Sequence, residues 1–468
     1  MPTVRPSSLH VSLDYPAERL APAVAALREP AILESGPGFG PAGRWAFYAA
    51  EPRLVFEAHE HHWRQRDDQG EQTGTGDPLD RLGAILEEYR LADPRDEPDP
   101  ESAPFQGGLI GYFGYDLAPR LERLPRRAAP DSRFPVLRFG LYDTLLTLDR
   151  SNHQATFSAY ALHHEPPAEL DRRWQRWRQV LERPRGPVAS RLTRPITSNF
   201  TPSAYREAVG RALEYIRAGD IFQVNLSQRF EARGRFDPLD LYLRLRQVSP
   251  APFAAFLEWD DLAIVSASPE SFYQTRGDQI VTRPIKGTRP RGATPEEDAR
   301  WKAELAASPK DRAELTMIVD LERNDLGRVC RYGSVRVTDP LAVETYAQVH
   351  HLVATIQGRL RPECGPIDVV RAVFPGGSIT GAPKIRAMEI IDELEPTRRG
   401  PYTGAIGYYG RGGTSAFNIV IRTMLVEGDR ATFQVGGGIV ADSDPEAEYQ
   451  ETLHKGRGLR AVLEGAER

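Results

Sequence analysis

The sequence predicts an α+β fold built on antiparallel sheet. Three observations point there. Short strand-like stretches crowd the first half, tight Gly-containing turns join neighbouring strands towards the C-terminal end, and amphipathic runs with recognisable caps are set among them.

Taken in order, parts of residues 44–66 alternate apolar and polar side chains, and the turn Asp67-Asp68-Gln69-Gly70 closes them as a hairpin arm. Residues 82–91 read as a short amphipathic helix, followed by a Pro-rich, charged surface loop over 93–100. The run from Phe105 to Phe113 places Gly107, Gly108 and Gly111 in strand-like sequence, which marks close backbone approach. Residues 182–199 carry Pro, Arg, Ser and Thr without periodicity. They predict a linker over 186–200 between an N-terminal domain (1–185) and a C-terminal domain (201–468).

Beyond the linker, Tyr205, Val209, Ala212, Leu213 and Ile216 recur at helical spacing after Thr201-Pro202, and Gly219 ends the run. From Ile221 to Gln228 the pattern alternates, with Phe222, Val224 and Leu226 on one face and Gln223, Asn225 and Ser227 on the other. Such a strand either lines a polar cavity or is half exposed. Between residues 404 and 440, Arg411-Gly412-Gly413 and Glu427-Gly428-Asp429 form turns between strands, predicting one antiparallel sheet.

Composition excludes several classes of function. A chain of 468 residues with 40% hydrophobic and 27% charged residues is globular and long enough for two or three domains. No run approaches a membrane span and residues 1–6 lack an apolar signal core, so the expectation is a cytoplasmic protein with no membrane partner. Cys330 and Cys364 are too few for a disulfide framework or a cysteine zinc site. A net charge of −5 argues against a nucleic-acid binder.

Lysine usage is the sharpest chemical signal. The chain has five lysines, Lys286, Lys302, Lys310, Lys384 and Lys455, against 55 arginines. A guanidinium cannot serve as a nucleophile, whereas an ammonium loses its proton when buried or placed near other cations. Lys286, in Pro284-Ile285-Lys286-Gly287-Thr288, is therefore a candidate for covalent chemistry; Lys302 and Lys310 lie in polar helix-like sequence and read as lysines kept by chance.

Two helical segments carry acids on one face. Asp311 and Glu314 stand at i, i+3, while Glu448, Glu451 and Lys455 share a stripe after the Asp444-Pro445 cap. These are either solvated faces or, together, a set of oxygen ligands suited to Mg²⁺. Two glycine-rich runs could hold anions. One, Gly376 to Pro383, precedes a helix marked by Ile385, Met388, Ile391 and Leu394, and its order of residues is not that of a P-loop. The other, Gly436-Gly437-Gly438, is a candidate cradle for a carboxylate, although a flexible turn is the commoner origin of a triple glycine.

Ile221 to Phe230, Pro284 to Thr288, Asp320 to Leu326, Pro375 to Lys384 and Asp442 to Lys455, in that order, resemble the chorismate-utilising enzymes, which include anthranilate, aminodeoxychorismate and isochorismate synthases. The resemblance covers about 260 residues from Ser203 onward, and Ile32-Leu33-Glu34-Ser35 with Gly107 to Tyr112 extend it into the first half. It implies a large antiparallel two-sheet sandwich with outer helices. Pro-Ile-Lys-Gly-Thr is the form typical of the aminodeoxychorismate branch, where anthranilate synthases have Pro-Ile-Ala-Gly-Thr.

The resemblance further implies that Lys286 attacks chorismate with Glu270 as acid and base, and that Asp311, Glu314, Glu448 and Glu451 surround Mg²⁺. Gly287, Thr288, His351, Ser378, Tyr402, Arg422, Gly436, Gly438 and Lys455 would contact substrate. Asp311 is shorter than the glutamate of some relatives, and Ser378 stands where others have threonine. Neither cysteine lies in a glutaminase motif, so a separate glutamine amidotransferase would supply ammonia. Glu34, Ser35, Ser249, Pro250, Pro252 and Phe253 resemble the halves of a tryptophan pocket. The alternatives are an anthranilate synthase large component, which releases pyruvate, and a silent amino-acid-binding subunit, disfavoured because every expected acid, lysine and arginine is present.

Overall fold

The computed structural model describes residues 8–36, 38–60, 62–89, 101–161, 166–346 and 349–465. Two large antiparallel sheets face each other. The 13-stranded sheet runs from Ser8–Leu13 at one edge, through Ala31–Glu34, Phe253–Trp259 and Leu262–Ser268 at its centre, to Thr423–Glu427, Arg430–Ile439 and Gln223–Arg235. The 12-stranded sheet begins at Ile285–Pro290 and passes through Ser271–Arg276, Thr414–Ile419, Ala405–Gly410 and Gly108–Phe113 to the hairpin Trp63–Asp67 and Gly70–Gly74.

Apolar residues fill the space between the sheets. Phe47, Ala255, Leu257 and Ile264 from one sheet meet Ile110, Tyr112, Ile406 and Tyr408 from the other. Helices cover the outer faces: Pro238–Val248 and Pro445–Glu464 lie on the first sheet, Pro78–Glu88, Pro309–Gly327 and Pro366–Val373 on the second. This is the two-sheet sandwich with outer helices that the motifs imply. No helix among the described residues is long and apolar enough to cross a membrane.

The glycines of the 105–113 run have the predicted reason. A Cβ on Gly111 would stand 2.0 Å from the carbonyl of Arg138, and one on Gly108 (φ +143°) would stand 2.1 Å from that of Tyr409. Only glycine lets this strand sit between its neighbours. The Asp67–Gly70 hairpin and the 202–217 helix are also found where expected, the latter capped by Thr201 Oγ1, which accepts from the Ala204 N–H at 3.2 Å.

Several expectations are corrected. The helix read over 82–91 starts earlier, at Pro78, because Asp77 caps it by accepting from the Leu79 N–H, and it ends at Glu88; Leu91 and the 93–100 loop lie outside the described residues. The strands between 404 and 440 form two hairpins in different sheets. Ala405–Gly410 pairs with Thr414–Ile419 in the second, Thr423–Glu427 with Arg430–Ile439 in the first, and the chain crosses over between Ile419 and Thr423. The strand read over 221–228 runs from Gln223 to Arg235, and its first eight residues are buried on both faces. Phe222, read as part of its apolar face, is 71% exposed, and Ile385 of the predicted helix stripe is 45% exposed. Gly436-Gly437-Gly438 is strand rather than flexible turn, paired with Ser227, Leu226 and Asn225.

Strands from before and after residues 186–200 share both sheets. Ala31–Glu34 pairs with Phe253–Trp259, and Gly108–Phe113 with Ala405–Gly410. Within 186–200 itself, Arg191–Leu192 and Thr197–Ser198 pair with Gln223–Arg235.

Candidate active site

The elements that carry the C-terminal motifs converge on one cavity of about 650 Å³. The glycine strip of Arg430–Ile439 forms part of its wall. The strand Ile285–Pro290, the helices Pro309–Gly327 and Pro445–Glu464 and the Gly377–Ile379 turn close around it. Lys286, Glu270, Gly287, Thr288, His351, Ser378, Tyr402, Arg422, Gly436, Gly438 and Lys455 all line it, as do Asp311, Glu314, Glu448 and Glu451.

Lys286 extends from its strand to donate to the Ser378 carbonyl at 3.3 Å. Withdrawal from water lowers the pKa of its ammonium, against the pull of Glu270 and Glu314, so the neutral amine is easier to reach than for a lysine in water. Glu270 is buried, which raises its carboxyl; the Ser378 hydroxyl, Lys286, Lys455 and the Ile285 N–H act the other way. An amine whose proton is loosened thus stands in the field of a carboxyl shifted towards its protonated form. Beside them Gly287 has φ +74°, and a Cβ there would press to 2.7 Å from Asp311 Cγ and 2.8 Å from Leu305 Cδ1.

The remaining residues suit an anionic ligand. His351 Nδ1 lies 2.9 Å from Thr288 Oγ1, and burial followed by the nearby Arg422 charge lowers its pKa to about 4, so it is a neutral hydrogen-bonding group at neutral pH. Arg422, at the sheet crossover with φ +53°, forms no ion pair among the described residues and lines the cavity; burial lowers its guanidinium, with Tyr402 and the Glu451 charge acting the other way. Lys455 Nζ donates to the Gly436 carbonyl at 3.0 Å and to Glu451 Oε1 at 2.5 Å.

The four carboxylates supply hard oxygen donors. A Cβ on Gly437 would stand 2.9 Å from Glu448 Oε2 and 3.6 Å from Glu451 Oε1, so glycine at that position leaves the space these acids occupy. Burial raises Glu314 and Glu448, and the charge of Glu451 raises both further. Burial also opposes ionisation of Glu451, but Lys455, Lys310 and Lys286 together hold that carboxyl below its ordinary value. No three acids converge as a formed metal centre among the described residues. Each is engaged: Glu448 accepts from Ser443 at 2.6 Å, Asp311 from Arg289 at 3.2 Å, and Glu314 faces Lys310 at 3.9 Å. The donor chemistry and the Gly437 cradle fit Mg²⁺, provided these pairs yield to it.

Lys310 is exposed, its side chain 60% accessible, and also lines the cavity, as do Arg289, Tyr346 and His454. The available signal for Lys310 was its position four residues before Glu314. Asn225 also lines the cavity, in keeping with the polar face read for its strand. Neither amide atom of Gln223 nor Oδ1 of Asn225 has a partner among the described residues, although both side chains are buried.

The expected tryptophan pocket is divided between two cavities. Ser249, Pro250 and Pro252 line the cavity just described. Glu34, Pro252 and Phe253 line a second, of about 400 Å³ between the sheets, with Trp45, Phe47 and Tyr408. Ser35 is buried, donates to the Gly36 carbonyl and lines neither. The Glu34 carboxylate accepts from Tyr48 at 2.8 Å and Tyr242 at 2.5 Å and pairs with Arg150 and Arg246.

Comparison with known proteins agrees with this geometry. The family described as chorismate binding enzyme matches residues 42–461. Aminodeoxychorismate synthase component 1 of Klebsiella aerogenes is 43% identical over 435 residues, covering 92% of this chain and 93% of that protein. Anthranilate synthase component 1 of Thermus thermophilus is also 43% identical, over 406 residues and 85% of each chain. The solved structure of anthranilate synthase component I from Streptococcus pneumoniae superposes with a TM-score of 0.76 at 33% identity, covering 89% of this chain and 92% of that one. With most of its motifs gathered on one cavity and 85 to 92% of its length covered by these relatives, the chain is a chorismate-utilising enzyme and belongs to the chorismate binding enzyme family.

Proposed function

We propose that this enzyme converts chorismate and ammonia to 4-amino-4-deoxychorismate. The observation that carries the reading is Lys286, an amine with lowered pKa on the cavity wall where the anthranilate branch has alanine, in the electrostatic field of Glu270. Relatives of both branches share 43% identity with this chain, over 92% of it for the aminodeoxychorismate synthase and 85% for the anthranilate synthase, so Lys286, and not overall identity, carries the reading.

In this mechanism the Lys286 amine forms a bond to C2 of chorismate as the C4 hydroxyl leaves, taking a proton from Glu270. Ammonia then bonds to C4 and the C2–lysine bond breaks, returning the amine and keeping the enolpyruvyl ether. Chorismate is a dicarboxylate, and Arg422 and Lys455 supply cationic contacts for it. Asp311, Glu314, Glu448 and Glu451 would hold Mg²⁺, which when bound supplies positive charge beside a substrate carboxylate. Asn225 Oδ1, on the cavity wall and without a partner among the described residues, offers an acceptor to ammonia near the glycine strip.

Ammonia would come from a glutamine amidotransferase subunit, a reading supported by relatives named as component 1. The cavity between the sheets would take tryptophan, and calorimetry with tryptophan tests that separately. The deciding experiment is product analysis. Purified chain with chorismate, Mg²⁺ and ammonium should yield 4-amino-4-deoxychorismate without pyruvate and should fail on glutamine until an amidotransferase is added. Stoichiometric pyruvate and fluorescent anthranilate would instead establish the anthranilate reaction.

A further inference from the structure

The acidic segment Asp320 to Asp325 contributes no side chain to the cavity wall, yet it carries a carboxyl in an unusual setting. Glu322 Oε2 lies 2.6 Å from Thr282 Oγ1, and the same hydroxyl lies 2.8 Å from the carbonyl oxygen of Phe272. A threonine hydroxyl has one proton, and a carbonyl oxygen can only accept. If the Thr282 proton goes to Phe272, the short contact to Glu322 requires a second proton, and the only group able to carry it is Glu322.

The charges around Glu322 favour that state. Asp325, one turn further along the same helix, is paired with Lys384 Nζ at 2.6 Å, and that ammonium also donates to the Val373 carbonyl. The nearest cation is therefore already engaged, while Glu270 from the strand junction and Asp325 both oppose a further negative charge. Thr282 is four residues before Lys286, and Phe272 is two residues after Glu270. The contact pair thus joins the strand leading to the nucleophile, the strand leaving the carboxyl, and the Pro309–Gly327 helix that bears Asp311 and Glu314.

We propose that Glu322 is a neutral carboxylic acid and a positioning residue: it donates to Thr282 Oγ1, Thr282 donates to the Phe272 carbonyl, and this relay fixes Glu270 against Lys286. The inference rests on the reading of those two residues as the reacting pair. Removal from water, with Glu270 and Asp325 adding to it, raises the Glu322 carboxyl to about 8. Ionisation above that pH forces Thr282 to turn its proton to Glu322, releases Phe272 and adds negative charge behind Glu270. The sign for stability follows. The folded chain keeps a proton that the unfolded chain loses near 4.5, so Glu322 makes stability fall as pH rises from there to about 8.

The test compares wild type with Glu322→Gln and Glu322→Leu by infrared difference spectroscopy and by pH profiles of kcat/KM at constant free ammonia. Wild type minus Glu322→Gln should show the carbonyl stretch of a protonated carboxylic acid at neutral pH, bleaching as pH rises through about 8. Glutamine, whose amide N–H can donate to Thr282, should preserve turnover and remove the alkaline decline, whereas leucine, which breaks the relay, should lower kcat by about five- to tenfold. Absence of the acid band at neutral pH, or an unchanged alkaline limb in Glu322→Gln, overturns the proposal. The band does not depend on which product forms, so a failure of the proposed reaction would be seen separately, in the product analysis.

Discussion

Glu451 Oε1 accepts from Lys455 Nζ at 2.5 Å, one helical turn away and within the same cavity. The contact sets a condition on metal binding, because a divalent ion that takes Glu451 must compete with an ammonium. Glu314→Gln and Glu451→Gln should each lose activity by about hundredfold or more, since one lost carboxylate leaves the metal charge undercompensated. Calorimetric Mg²⁺ titrations should show weakened binding in both variants. Full activity in EDTA, or in either variant, would remove the assignment.

Lys286→Arg separates charge from nucleophilicity. Arginine keeps the positive charge near Glu270 but has no amine that can lose its proton. Both Lys286→Arg and Lys286→Ala should fall by about hundredfold or more in the ammonia-dependent reaction. Substantial recovery in the arginine variant would mean that charge alone is needed.

Arg399 is buried and donates from Nε and Nη2 to the two carboxylate oxygens of Glu395, at 2.9 and 2.6 Å, while Glu395 also accepts from the backbone N–H and hydroxyl of Ser227. Arg399→Ala strands that carboxylate in the interior and should cost about 3–5 kcal/mol in urea denaturation. A change below about 1 kcal/mol would show that Glu395 finds another partner or water.

His351 should shape stability on the acid side. The folded chain resists protonating it until about pH 4, while the unfolded chain takes the proton near 6.5, so stability falls as pH drops through that window. Between pH 7 and pH 4 the stability of wild type should therefore fall by about 3 kcal/mol more than that of His351→Gln, as read from thermal melts of both. Parallel curves would show that the imidazole is not held neutral.

Much of the site was legible because its chemistry depends on residue type. Lys286 stood out through the rarity of lysine, and the acid stripes through helical spacing, which holds whatever surrounds the helix. What tertiary packing decides was hidden. Lys302 and Lys310 occupy similar polar helical sequence and both stay exposed, and only the seating of the second helix brings Lys310 to border the cavity as well. The two hairpins of residues 405–439 have the same local pattern, and the crossover between Ile419 and Thr423 is too short to leave a periodicity of its own. Phe222 carries the apolar signature of its strand but precedes the ladder and stays exposed.

The two seams at which the halves of the chain meet also decide how it could be cut. A fragment starting near residue 201 would leave the edges of Phe253–Trp259 and Ala405–Gly410 without the strands that cover them. Unpaired edges of this length invite pairing between copies, so such a fragment produced alone should aggregate. Supplying residues 1–185 as a second polypeptide restores the missing strands in register. The segment between them is thus a natural place to build a split enzyme whose turnover reports the reunion of its two pieces.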